Sequence, residues 1–158
     1  MERILEQKEY DFLHTDVPLP DNLTKIIDSG FRTEQGCILY KDFEYFGPGE
    51  LDSDLKKTEY ELFLNDINIA DYTKIDDEVE ALYFGLEIGK RLYKGLKSFS
   101  ESKFRIIISF IEPDIVEGGI ESYAECIVNF HVIRPSCNKK SKLQDYEQSK
   151  TDGVMIIE

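Results

Sequence analysis

From Asp77 to Lys97 the apolar positions recur with the period of an α-helix, and they form two stripes instead of one. Val79, Leu82, Leu86, Gly89, Tyr93 and Leu96 make the first, and Ala81, Phe84, Ile88 and Leu92 the second. Glu80, Glu87, Lys90, Arg91 and Lys94 fill the remaining third, with Glu87 and Arg91 spaced for an i,i+4 pair. A surface helix needs only one apolar stripe, so this helix is expected to be covered on two sides. The sheet covers one side and the N-terminal segment the other; the alternative cover is a second subunit, in a homodimer. Asp77 with Glu80 three residues on resembles a capping box, and Asp76, Asp77 and Glu78 suit the positive end of the helix dipole.

Other segments read as strands. Phe104 to Ile111 is almost continuously apolar. From Ser122 to Arg134 the even positions Ala124, Cys126, Val128, Phe130 and Val132 face the core, while Tyr123, Glu125, Asn129 and His131 alternate with them. Ile38 to Phe46 is rich in aromatics and ends at Gly47-Pro48-Gly49. From Lys56 to Leu64, Thr58, Tyr60, Leu62 and Leu64 alternate with Lys57, Glu59, Glu61 and Phe63, which predicts a half-buried strand. Val154 to Ile157 predicts a last strand. Short helices are expected from Asp21 to Gly30, after the extended Val17-Pro18-Leu19-Pro20, and around Leu143 to Gln148. Gly118-Gly119 predicts a hairpin turn, and Gly85, Gly89 and Gly95 predict close packing against the long helix. The sum is an α+β fold, a mainly antiparallel sheet packed on one long helix with short additional helices.

A chain of 158 residues fits one domain, 1–158, and its 41% apolar content with nineteen Phe and Tyr is ample for a core. Charge changes the picture more. Residues 1–80 hold 21 acidic and 8 basic side chains, whereas residues 81–158 hold 11 of each, so the whole net charge of −13 falls in the first half. Phosphate affinity comes from Lys and Arg, so this balance argues against nucleic acid and anionic membranes as partners and fits a cationic protein. Three cysteines, Cys37, Cys126 and Cys137, show no disulfide or zinc spacing. The N-terminus lacks a signal-peptide pattern and the longest apolar run is too short to span a bilayer, so a cytoplasmic protein is expected.

Candidate chemistry is sparse. No metal motif, phosphate loop or nucleophile elbow occurs, and nothing implies a cofactor. His131 and Arg134 form one compact group near Pro135. On an ideal strand they point to opposite faces, so they meet only if the strand bends. The structural reading has them satisfy buried carboxylates or carbonyls; a small enzyme using both is the functional alternative.

Tyr60-Glu61-Leu62-Phe63-Leu64-Asn65-Asp66-Ile67-Asn68-Ile69-Ala70-Asp71-Tyr72, the long helix, Phe130-His131-Val132-Ile133-Arg134 and Leu143-Gln144-Asp145-Tyr146-Glu147 follow one another in an order that resembles an immunity-protein family of bacterial contact-dependent growth inhibition systems. Similar proteins tend to carry an acidic, tryptophan-bearing stretch after the arginine, where this chain has a lysine-rich loop and no Trp. The resemblance covers roughly residues 55–158. It implies a non-enzymatic inhibitor that binds and neutralises a cognate toxin domain, the C-terminal part of a large effector and often a basic nuclease, by occluding its substrate-binding surface. From charge density, the expected toxin-binding residues are Glu50, Asp52, Asp54, Glu59, Glu61, Asp76, Asp77 and Glu80, with Tyr45, Phe46 and Phe63 as aromatic anchors. A nucleic-acid-mimicking inhibitor of phage type would use the same surface physics against another enzyme.

Overall fold

The computed structural model describes residues 16–75, 77–137 and 153–158. The helix expected around Leu143 to Gln148, and Asp76, lie outside the described residues. The chain runs α1 (Asp21–Ser29), β1 (Phe31–Glu34), β2 (Cys37–Tyr40), α2 (Asp54–Leu64), β3 (Ile67–Asn68), a 3-10 turn (Ile69–Asp71), α3 (Glu78–Phe99), β4 (Phe104–Ile111), β5 (Asp114–Val116), β6 (Gly119–Ser122), β7 (Glu125–Val132) and β8 (Gly153–Ile157). The fold is α+β, as the patterning predicts. Its main sheet has the order β3-β7-β4-β8 with every pair antiparallel, and β1-β2 and β5-β6 form separate two-stranded sheets.

The long helix matches its expected span. Asp77 caps it through Oδ1, which accepts the Val79 amide at 2.9 Å. α3 packs on β4 and β7, and its glycines set the distance. A Cβ at Gly85 would lie 2.4 Å from Cys126 Sγ, and one at Gly89 would lie 2.7 Å from Ile108 Cδ1. Both glycines therefore let the helix sit close on the sheet despite their cost in helix propensity. We expect Gly85→Ala to destabilise by about 1–3 kcal/mol through overpacking, offset by about 1 kcal/mol of helix propensity. Cys126→Ala in the same chain should restore much of the loss. Additive effects in urea melts of the two single variants and the double would contradict this contact.

The second side of α3 is covered by the chain from Asp16 to α1. Lys90 Nζ reaches Asp16 Oδ1 at 2.8 Å, the Val17 amide approaches Glu87 Oε2 at 3.5 Å, and α1 contributes Leu23 and Ile27 to the core. Glu87 consequently lies buried, not on an open polar face. Burial opposes its charge, but its hydrogen bonds from Lys90 and Arg91, the latter at 2.8 Å, outweigh that and lower its pKa. The sheet is buried on both faces along β4: Ile106 and Ile108 face the helix side, and Arg105, Ile107 and Ser109 are buried on the other. Asn129 and His131, which alternate with the core positions of β7, are buried there too.

Two strand expectations are corrected. Lys56 to Leu64 is helical: Ser53 Oγ caps α2 by accepting the Lys56 amide at 3.2 Å. Its apparent alternation misleads because the buried face is polar. Thr58, Glu61 and Asn65 line one side of the helix and are buried, while Tyr60 and Leu64 close a small second core with Cys37, Leu39 and Leu51. The strand expected from Ile38 to Phe46 ends at Tyr40, where the Phe43 amide turns back onto the Tyr40 carbonyl at 3.3 Å. Its partner β1 precedes it across a two-residue turn, Gln35 and Gly36, both at positive φ (47° and 78°). That twist suits a tight hairpin.

Candidate functional site

α2 lies between the β1-β2 hairpin and the end of β7, and it presents two different faces. The inner face joins two strand edges. Glu61 Oε1 accepts the Ile38 amide and Oε2 the Val132 amide, each at 2.9 Å. One turn on, Asn65 Oδ1 accepts the Tyr40 amide at 3.2 Å, and its Nδ2 donates to the carbonyls of Ile38 at 2.9 Å and Phe130 at 3.2 Å. Two helix side chains thus take the place of a backbone ladder between β2 and β7. Arg134 closes the seam with its two terminal guanidinium nitrogens, Nη1 and Nη2, on the Glu61 carboxylate, at 2.6 and 2.8 Å, and it also donates to Gly36 O and Thr58 Oγ1. Burial works against its charge, yet its hydrogen bonds to Glu61 and the charge of that carboxylate outweigh that and raise its pKa.

Glu61 is therefore not on an exposed face. It has no solvent exposure at all and is part of the fold's scaffold, which removes it from the expected docking residues. Arg134 is equally committed, and His131 faces elsewhere, its Nδ1 2.9 Å from the Val132 carbonyl. Burial pushes the His131 pKa down, helped by the positive charges of Arg105 and Arg134 and opposed by the Val132 bond and Glu61. In the unfolded chain its value returns to about 6.5, so below that pH the unfolded state takes up a proton first. Stability should therefore fall as pH drops from about 6.5 through the lowered native value, and His131→Gln should flatten that part of a pH–stability curve. A slope unchanged by the substitution would refute it.

The outer face of α2 carries the aromatics. Phe63 is exposed and meets Tyr45 edge to face at 5.3 Å between ring centroids; Tyr45 also lies 6.5 Å from the Tyr60 ring. Phe46 is 97% exposed. Glu44, Glu50, Asp52 and Glu59 are exposed in the same stretch of chain. Not all of this charge is uncompensated. Asp52 pairs with Lys56 at 2.9 Å, whose hydrogen bond and charge lower its pKa, and Asp54 is half-buried and accepts a hydrogen bond from Ser136. Asp77 and Glu80 belong instead to the start of α3, which packs on the face of the sheet. The expected acidic set is thus divided between α2 with the loop before it and the start of α3. Tyr45 and Phe63 meet directly, and at the start of α3 the Glu80 amide donates to the Asp77 carbonyl at 3.1 Å.

Other features have separate places. Cys37 and Cys126 are buried thiols, pushed up to about 11 and about 12 by desolvation. No group of three or more His, Cys, Asp or Glu that could hold a metal occurs among the described residues, and no helix there is long and apolar enough to cross a membrane. A cleft of about 720 Å³ lies between the end of α3 and the start of β4, lined by Tyr93, Lys97, Lys103, Ile133 and Glu158 among others. Its mixed charges show no arrangement specific to one chemistry. Sequence patterning missed the Glu61-x-x-x-Asn65 pair as a scaffold; its signal is a glutamate and an asparagine spaced one helical turn apart.

The whole chain, residues 1–158, matches the Uncharacterized protein PM0498 family, and it belongs to that family. No curated protein and no solved structure matches it.

Proposed function

We propose that the chain is an immunity-type inhibitor: it binds a toxin domain with a basic substrate groove, of the nuclease kind, and covers that groove. The observation that carries this reading is the exposed Tyr45–Phe63 pair, with Phe46 fully in solvent beside it, on a stretch bearing Glu44, Glu50, Asp52 and Glu59. Folding gains nothing from holding three large aromatics in water, whereas interface cores are enriched in them and hot spots are built from them. The surrounding carboxylates would steer a basic partner and raise its association rate. The order of motifs from Tyr60 to Glu147 adds support through its resemblance to immunity proteins. An inhibitor of this kind would act in the cytosol.

The test is growth protection. The chain is co-expressed with the C-terminal domain of the effector encoded beside it, and binding of the purified pair is measured. Wild type should protect and bind. Tyr45→Ser/Phe63→Ser should keep its melting temperature and weaken binding by at least about 2 kcal/mol, roughly thirtyfold. Association should slow as salt rises to about 0.5 M, where the Debye length falls to a few ångströms. A wild-type chain that neither binds nor protects would sink the proposal.

A further inference from the structure

Between β4 and β7 the chain leaves the main sheet and folds back as an isolated ribbon, β5-β6. Val116 pairs with Gly119 across a two-residue turn, Glu117-Gly118, and the register slips between Ile115 and Asp114. Gly118 and Gly119 hold φ of 114° and 147°, a backbone open to glycine and strained for other residues. The ribbon pairs with no other described strand. Ile115 is 78% exposed and Val116 49%, and Tyr123 just beyond β6 is 73% exposed. Adjacent strand residues point to opposite faces, so Ile115 and Val116 leave neither face of the ribbon covered. A two-stranded hairpin gains little stability by itself, and an exposed apolar edge invites aggregation. Such an arm needs a reason other than folding.

Its charge supplies one. Residues 106–133 contain five acidic side chains and no Lys or Arg, although residues 81–158 balance overall. Glu112, Asp114 and Glu117 are exposed around the ribbon. Like charge opposes pairing of two such ribbons and opposes an anionic bilayer. A ribbon with exposed apolar side chains and carboxylates at its turn and base complements an apolar recess rimmed by Lys or Arg.

We infer that the β5-β6 hairpin is a second docking arm, inserted into a basic-rimmed apolar recess of the partner protein, with Ile115 and Tyr123 as anchors. This rests on the toxin-binding reading and divides the interface between the aromatic face of α2 and the arm. The carboxylates govern encounter and the apolar groups govern retention.

The experiment is surface binding of the full-length chain to the purified effector domain used for growth protection, with melting temperature as the folding control. Ile115→Ser/Tyr123→Ser should dissociate at least about tenfold faster with little change in association. Glu112→Gln/Glu117→Gln should associate severalfold more slowly at low salt and converge with wild type at high salt. If wild type binds and both variants match it, the arm is overturned while the toxin-binding reading stands. If wild type does not bind, both fall. Zwitterionic phosphatidylcholine vesicles or self-association by light scattering, either one abolished by Ile115→Ser, would instead assign the arm to a membrane or a second copy and overturn the proposal.

Discussion

Replacing Glu61 by alanine is expected to cost about 3–5 kcal/mol, because it removes the carboxylate bonded to a buried guanidinium and two acceptors of strand amides together. Arg134 is 7% exposed and would keep its charge without the carboxylate it is bonded to. The amides of Ile38 and Val132 would lose their acceptor in the same step. At roughly 2–4 °C per kcal/mol for a chain of this size, the melting temperature should drop by on the order of 10 °C. Glu61→Gln should recover only part of the loss, since one carboxylate oxygen becomes a donor facing other donors. The pair Glu61→Gln/Arg134→Met should lose less than the sum of its single variants, because no stranded charge remains. It should still lie below wild type, as one strand amide stays unmatched. A Glu61→Ala chain within 1 kcal/mol of wild type by urea titration would mean that the seam does not hold the hairpin to the sheet.

The same seam explains which parts of the fold could be read from the sequence. α3 and β7 bury apolar side chains at the spacing of their own backbone, and β4 and β8 are short continuous apolar runs, so patterning finds all four. α2 buries Thr58, Glu61 and Asn65, which serve the edges of β2 and β7 and leave the helix without an apolar stripe toward them. Its remaining apolar residues then happen to alternate, and a strand is the natural expectation. β1 is four residues long and carries one large apolar residue, Phe31, beside Arg32 and Glu34, which pair with each other, so it has too little apolar alternation to mark a strand. Charge density was a fair guide to where acid lies and a poor one to where it is available. Glu61 belongs to the scaffold and Asp52 is paired, and the balanced second half conceals an acidic, apolar hairpin.

The apolar side of the joint gives the second large effect. Phe130 on β7 has no solvent exposure and meets Tyr40 at 5.2 Å and Phe31 at 5.6 Å, both nearly perpendicular. Phe31 in turn reaches Phe99 at the end of α3, at 5.7 Å. One ring therefore ties the β1-β2 hairpin to the sheet and, through Phe31, to the long helix. Phe130→Ala should cost about 3–5 kcal/mol, the transfer of a buried ring plus the cavity left between three elements. Loss should concentrate at the joint: hydrogen exchange at the Ile38 and Tyr40 amides, which are held by side chains of α2, should quicken more than exchange within β4. Tyr40→Phe should act in the opposite direction. Its hydroxyl is buried with no hydrogen-bond partner among the described residues, and burial raises the phenol's pKa well above its usual value. Removing that oxygen relieves an uncompensated desolvation and should stabilise the chain by about 1 kcal/mol. If Tyr40→Phe destabilises while Phe130→Ala exchanges uniformly across the sheet, the hairpin is held by something other than this aromatic contact and the Glu61 seam.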